Sequence, residues 1–379
     1  MTAIRAIPVE VLRRLAARLH ASAPRVAQLR LVAGFDGFVD EMISVVGTRT
    51  GRDAWTRMES MAELARVMSA ASGRNSLREI VVRSQDPGGC AVNLGDGLAA
   101  LGVGVDFFGT IGSPRHPAFD AFAGACRSST ALGRSYGRTL AFEFGDGKFM
   151  FSAVEQLAEL DPPLFERCLA DGSFTRACAQ AGLLAFTNWT LYPHMTACWR
   201  LLHERVLSSL THHPWLFLDL VDPSSRSDAD VRDMLAVVRG FEGPCRTVLG
   251  VNLTEAAVLG RIVGLGAPRP ESLAEHASAL RTTLGISQVV IHNAKVNAVA
   301  EAAGSVACGA GPFCERPAKT TGAGDRFNAG YCLGLLLDLE PESRLALASA
   351  TSGSFIRAAH SATLADTARF VEDWANGTL

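Results

Sequence analysis

From residue 183 onward, short apolar runs alternate with stretches of helical period. The run at 183–186 precedes a helix over 194–210, that at 215–220 a helix over 228–239, and that at 247–251 helices over 254–259 and 271–284. A further run follows at 288–292, and helices are predicted to dominate from Gly322 to the end. Such alternation makes strand–helix–strand crossovers, and hence a mostly parallel sheet covered on both faces. Ligands of such sheets bind beyond the carboxyl ends of the strands, so residues just after each apolar run are the first functional candidates.

The first half is less regular. The spacing predicts a helix over 9–21 after Pro8, a strand over 29–33, a helix over 54–71, a strand over 80–83, a helix over 91–101 and a strand over 103–108. Two β-rich pieces, 139–144 and 148–152, flank Gly145-Asp146-Gly147 and read as a hairpin. This hairpin and the turn-rich segment 36–52 are expected to form a small sheet that stands off the main body as a lid.

Composition excludes several classes. The 379 residues are 48% hydrophobic and 20% charged with a formal net charge of -2, and no basic block offers a footprint for nucleic acid or an anionic membrane. No segment approaches the ~20 apolar residues that span a bilayer, and the N-terminal stretch lacks the continuous apolar run of a secretory leader. Nine scattered cysteines without a C-x-x-C pair are expected to be reduced core thiols in a cytoplasmic protein.

Two glycine-rich stretches carry the chemistry. In Lys319-Thr320-Thr321-Gly322-Ala323-Gly324-Asp325-Arg326-Phe327, the glycines permit close backbone approach to a ligand, and the helix that follows turns its N-terminus toward it. Such a turn suits a phosphate, and Asp325 can take a proton from an attacking hydroxyl. The plainer alternative is a capped helix with a tight turn. In Gly88-Gly89-Cys90-Ala91-Val92-Asn93, a diglycine follows a strand, and Asn93 offers a donor and an acceptor to a polyol. Alone, this is also a common strand–helix connection.

Together the two stretches resemble the PfkB, or ribokinase-like, family of carbohydrate kinases. The pattern G-G-x-x-x-N-x-A-x-x-L-A-x-L-G is met from Gly88 to Gly102, with Gly95 in place of the usual alanine; D-T-x-G-A-G-D-x-F is met from Thr320 to Phe327, with Lys319 in place of the leading aspartate. The resemblance spans roughly residues 30 to 365. It implies a three-layer α/β/α sandwich with a small β lid. The kinase domain would cover 29–379, with lid segments around 36–52 and 134–153, after an N-terminal helical extension over 1–28.

The resemblance further implies transfer of a nucleotide's terminal phosphoryl, from ATP or alternatively ADP, to a sugar hydroxyl with Asp325 as base. Thr321, Gly322, Ala323 and Gly324 would form the anion hole. Asn252 and Glu255 resemble an N-x-x-E motif that positions phosphate and Mg²⁺ through water, although the same residues would also cap a helix. Substrate would be held by Asp40, with Asp36, Gly88, Gly89, Asn93 and Asn188 as further candidates. The implied partners are a sugar, a nucleotide and a second copy of the chain joined through the lid. Other readings are a nucleoside or sugar-phosphate kinase, the latter with Arg134, Arg138 and Lys148 as a phosphate clamp, or a pseudo-kinase that binds without turnover.

Three departures bear on this. Ala294 and Asn297 stand where a T-x-G-x-x-G turn against the nucleotide has glycines, which leaves the choice of ATP or ADP open. Ser113-Pro114 replaces a usual acid after Gly112. Lys319 stands where many relatives place a ligand of a monovalent cation, and an ammonium has no lone pair to offer one.

Overall fold

The computed structural model describes residues 6–379, so the first five residues of the expected N-terminal extension lie outside the described part. Along the chain run α1 (Val9–Val26), β1 (Arg30–Gly34), β2 (Phe38–Arg49), β3 (Trp55–Arg57), α2 (Met61–Ala70), β4 (Ile80–Gly88), α3 (Cys90–Ala100), β5 (Gly104–Gly109), α4 (Asp120–Ala125), β6 (Ser128–Ala131), β7 (Gly137–Phe144) and β8 (Gly147–Ala153). There follow α5 (Pro162–Leu169), α6 (Ser173–Gln180), β9 (Leu183–Thr187), α7 (Met195–Arg205), β10 (Trp215–Asp219), α8 (Asp228–Phe241), β11 (Arg246–Asn252) and α9 (Leu253–Val263). The chain ends with α10 (Leu273–Leu284), β12 (Gln288–His292), β13 (Val296–Glu301), β14 (Val306–Ala310), α11 (Ala323–Leu336), α12 (Pro341–Ala358) and α13 (Leu364–Asn376).

Among the described residues, nine strands form the main sheet in the order β14-β13-β12-β11-β10-β9-β1-β5-β6. All neighbours from β12 to β6 are parallel, while β13 and β14 are antiparallel additions at one edge. Both faces are buried. On β9, Leu184 and Phe186 enter one core and Leu183 and Ala185 the other, which is why the strand reads as an unbroken apolar run. The helix α1 is part of this body: Leu12, Leu15 and Leu19 are buried in the same core as Val371 of α13.

A second sheet of five strands holds both segments expected in the lid. β2 pairs in parallel with β7 and antiparallel with β4 and β3, and β7 pairs with β8 across the hairpin. The segment 36–52 joins that sheet as the long strand β2, while one expectation needs correction: 54–71 is a short strand followed by a helix that begins only at Met61. Ser60 stops the helix from starting earlier, because its hydroxyl accepts from the Glu63 N–H as an N-cap. The strands β13 and β14 went unread because VNAVAE and VACGA are short and rich in small residues.

Candidate active site

The two glycine-rich stretches meet because α3 packs on α11. A Cβ added to Gly97 would come within 2.8 Å of the Ala329 Cβ, so the helices touch at backbone distance. One residue back, Asp96 pairs with the buried Arg326 guanidinium at 2.6 Å, and Arg326 also lies 4.5 Å from the Phe355 ring centroid. One turn from Gly97, the Asn93 Nδ2 donates to the Asp325 Oδ2 at 2.9 Å. Asn93, expected to face a polyol, therefore also orients the expected base.

The turn before α11 is open to an anion. Gly322 adopts φ +84°, and a Cβ there would collide with Arg326 and crowd Asn93. The Ala323 N–H is already given to the Thr320 carbonyl at 3.1 Å. Among the described residues, the N–H groups of Gly322, Gly324 and Asp325 have no backbone acceptor. Of the expected anion-hole residues, the Ala323 N–H is engaged within the turn, while the Thr321 N–H, like those of Gly322 and Gly324, has no backbone acceptor among the described residues.

The Asp325 carboxyl is pushed up to about 7 by burial first and by the charge of Asp219 second. Asp219, the last residue of β10, was not singled out from the sequence. It is buried, accepts from Asn328 Nδ2 at 2.7 Å and from the Val221 N–H at 3.0 Å, and is itself raised, chiefly by burial. Its position at the carboxyl end of a central strand was the available signal.

At the opposite wall, the two expected aspartates part company. Asp36 is fully buried and accepts from the N–H groups of Cys90 (2.6 Å) and Ala91 (2.9 Å), from Thr187 Oγ1 (2.8 Å) and from Asn188 Nδ2 (3.1 Å). With four donors in place it has little left for a ligand, and Asn188 is likewise buried and committed to it. Asp36 thus caps α3 and, through Thr187 and Asn188, ties it to the end of β9. Asp40 is half-buried, paired with Asp86 on β4 and Thr139 on β7. Burial raises its carboxyl, the Thr139 hydroxyl opposes this, and Asp86 raises it further, while the ammonium groups of Lys148 and Lys319 pull it down. The diglycine serves both acids: a Cβ on Gly88 would land on the Asp40 carboxylate, and one on Gly89 on that of Asp36.

Asn252 and Glu255 form the capping box of α9. Asn252 Oδ1 accepts from the Thr254 and Glu255 N–H groups, and the Glu255 carboxylate accepts from the Asn252 N–H at 2.8 Å and from its Nδ2 at 2.7 Å. Glu255 is nonetheless raised well above the carboxylate range, by burial and then by the charge of Asp219. Burial thus outweighs the lowering effect of the cap bond, and the nearby charges of Asp219, Asp222 and Asp325 add to it.

A cleft of ≈650 Å³ adjoins the turn, between α9, the β12–β13 connection, the segment 311–320 and α12. Asparagines shape the connection where glycines were expected. Asn293 Oδ1 accepts from the Lys295 N–H (2.7 Å) and the Val296 N–H (3.0 Å), and Asn297 Oδ1 accepts from the Asn293 N–H (3.0 Å). The His292 ring stacks on Phe327 with centroids 4.8 Å apart, and burial lowers it to about 4, so it is neutral.

The family model of prokaryotic ketohexokinases matches residues 11–374. The ketohexokinase of Haloferax volcanii is 28% identical over 354 residues, which cover 92% of this chain and 93% of that protein. Among solved structures, Arabidopsis thaliana ribokinase complexed with ribose and ATP aligns over 91% of this chain and 98% of its own, with TM-score 0.64 and 14% identity. Thermotoga maritima ribokinase aligns over 91% and 99%, with TM-score 0.62 and 14% identity. Escherichia coli phosphofructokinase-2, solved with substrates and products, aligns over 92% and 99%, with TM-score 0.61 and 11% identity. A sheet of this order, a β lid, a glycine turn leading to a paired aspartate and a match over nearly the whole length thus agree: the chain belongs to the prokaryotic ketohexokinase family and is a ribokinase-like carbohydrate kinase, a phosphotransferase acting on a sugar hydroxyl.

Proposed function

We propose that this enzyme transfers the terminal phosphoryl of ATP to a hydroxyl of an unphosphorylated ketohexose, with Asp325 as general base. The observation that carries the reading is the 2.9 Å bond from Asn93 to Asp325, which joins the sugar-facing and phosphate-facing motifs at one carboxylate. The sugar hydroxyl donates to the free Asp325 oxygen and gives up its proton as its oxygen attacks the terminal phosphorus. The N–H groups of Gly322, Gly324 and Asp325, at the positive end of α11, receive the charge that develops on the transferring group. Asp40 accepts from other sugar hydroxyls, and the cleft beside His292 takes the nucleotide.

The three cations of a sugar-phosphate clamp are matched by acids: Arg138 by Glu41 (2.9 Å), Lys148 by Glu143 (3.2 Å) and Arg134 by Glu159 (3.6 Å). This favours an acceptor without a phosphate.

Magnesium suits the site, because Asp219 and Glu255 are hard oxygen donors and each adds a negative charge to a pocket that also holds Asp325. Among the described residues no three His, Cys, Asp or Glu side chains are grouped to hold an ion directly, so these two would reach it through water. Bound there, it would neutralise phosphate charge. All nine cysteines are free, in keeping with a cytoplasmic enzyme. Phe149, Met150 and Phe151 on β8 are half exposed, which supports a homodimer through the lid.

A coupled assay of ketohexoses, aldohexoses, pentoses, nucleosides and sugar phosphates against ATP and ADP tests the reading. Turnover is expected to be greatest with a ketohexose and ATP. Turnover confined to nucleosides or to phosphorylated sugars would contradict it.

A further inference from the structure

Arg326 follows the base directly in the chain and is only 7% exposed. A buried ion pair is a poor source of stability, since apolar side chains of similar size often replace one at no loss. Its surroundings fix how this guanidinium points. Nη2 donates to Asp96 Oδ2 of α3 at 2.6 Å, and Nε donates to the Ser361 hydroxyl beyond α12 at 3.0 Å. That hydroxyl donates in turn to the same Asp96 oxygen at 2.6 Å, and the guanidinium lies 4.5 Å from the Phe355 ring centroid of α12.

These bonds use the Nε–Nη2 edge and leave Nη1 pointing the other way, toward the glycine turn. A Cβ on Gly322 would lie 2.8 Å from Nη1 and 3.4 Å from Asn93 Nδ2, so the guanidinium stands where the side chain of residue 322 would be. Among the described residues Nη1 has no acceptor of its own. The Asp96 side chain is 40% exposed. The pair therefore sets its positive end against the turn and its negative end toward solvent, where water and salt screen it.

The other charges that face the base are acids: Asp219 of β10, Asp36 beyond β1 and Glu255 of α9. Burial keeps the Cys90 thiol of α3 protonated, and the His292 ring of β12, beside Gly324, is neutral. Lys319 is exposed, lies 5.7 Å from the same Phe355 ring and acts on Asp40. Burial and then Asp219 push the Asp325 carboxyl up, Arg326 pulls it down, and Asp36 pushes it up again. A charge already fixed in place acts on developing negative charge without any reorganisation.

We propose that Arg326 is a positioning residue of the reaction, whose guanidinium backs the glycine turn and gives the site the fixed positive charge that the transferring phosphoryl group meets. The inference rests on the reading of Asp325 as the base. Its test is the pH profile of kcat/KM and the single-turnover rate, with ATP and a ketohexose, in the full-length enzyme and its variants. Arg326→Met combined with Asp96→Asn leaves no charge unpaired and is expected to stay folded, which a urea melt checks. It is expected to transfer phosphoryl about 10–10²-fold more slowly, with sugar affinity largely kept and the acid limb moved to higher pH. Arg326→Lys keeps the charge and is expected to return the limb toward its wild-type place. A double variant with the wild-type rate, or with a limb that does not rise, overturns the proposal, because packing alone does not move a titration. So does a limb displaced as far in Arg326→Lys as in the double variant. If the double variant does not fold, Asp96→Asn decides alone: its limb is expected to move to lower pH, and one that stays or rises overturns the proposal. Wild-type transfer by Asp325→Asn would instead sink the assignment of the base, and this inference with it.

Discussion

Asp325 can accept a proton only when ionised, and its surroundings hold the carboxyl near 7. A raised carboxyl is protonated below its pKa, so kcat/KM is expected to fall as the pH drops through about 7. Asp219→Asn removes the second cause of that elevation and should move the acid limb to lower pH; a pH profile whose limb stays in place would exclude the coupling. The same elevation has a cost in stability. From the ordinary carboxylate pKa up to about 7, folding is progressively weakened, because the unfolded chain ionises first. Asp325→Asn should therefore melt higher than wild type at pH 8 by a few degrees, as scanning calorimetry would report. Lys319 is exposed, 5.7 Å from the Phe355 ring centroid, and brings a fixed positive charge toward Asp40. With an ammonium in place of a ligating oxygen, activity is expected to be the same in potassium, sodium or a bulky organic cation at constant ionic strength. Several-fold activation by potassium would contradict this. At this scale the sequence was legible where a residue type implies chemistry, as at Asp325 and Asn93. It was silent on the surroundings of Asp36, since an aspartate after a strand looks alike whether it faces a ligand or, as here, four of the protein's own donors.

The elements bring these residues together through one close helix contact. Gly97 on α3 faces Ala329 on α11, and the pairs Asp96–Arg326 and Asn93–Asp325 lie along the same seam. Gly97→Ala gains helix propensity but forces the helices apart, and overpacking of this kind typically costs about 1–3 kcal/mol. The variant is expected to lose stability to urea and to lower kcat, because the Asn93–Asp325 bond is strained with it. Adding Ala329→Gly returns the space and should restore much of both, and a double variant no better than the single one would show that the seam does not couple the motifs. The helices and central strands were readable because period and apolar runs mark them. The antiparallel pair β13–β14 was not, because its alanines and glycines carry weak strand preference and its place is set by pairing onto β12. The Asn252–Glu255 spacing was readable as two things at once, and the structure contains a capping box set in a carboxylate-rich pocket.

Across the whole molecule, the main sheet presents Asp219 and Asn252 at strand ends, while the second sheet carries Asp40 and Asp86 as a cross-strand pair. Alternation along the sequence is enough to indicate the first sheet. The second was only partly visible, since β2 pairs in parallel with β7 almost a hundred residues later, and no local pattern encodes a pairing of that range. If β8 meets a second copy, Phe149→Glu with Phe151→Glu should shift the enzyme toward monomer in sedimentation velocity, and a wild type already monomeric at micromolar concentration would rule the lid contact out. The central claim is that phosphoryl transfer to the sugar passes its proton to Asp325. Single-turnover transfer from ATP to a ketohexose, measured for wild type and Asp325→Asn with sugar binding followed by calorimetry, tests it most directly. The account predicts a rate lower by about 10²–10⁴-fold with sugar affinity largely kept; a variant that transfers phosphoryl at the wild-type rate would contradict it.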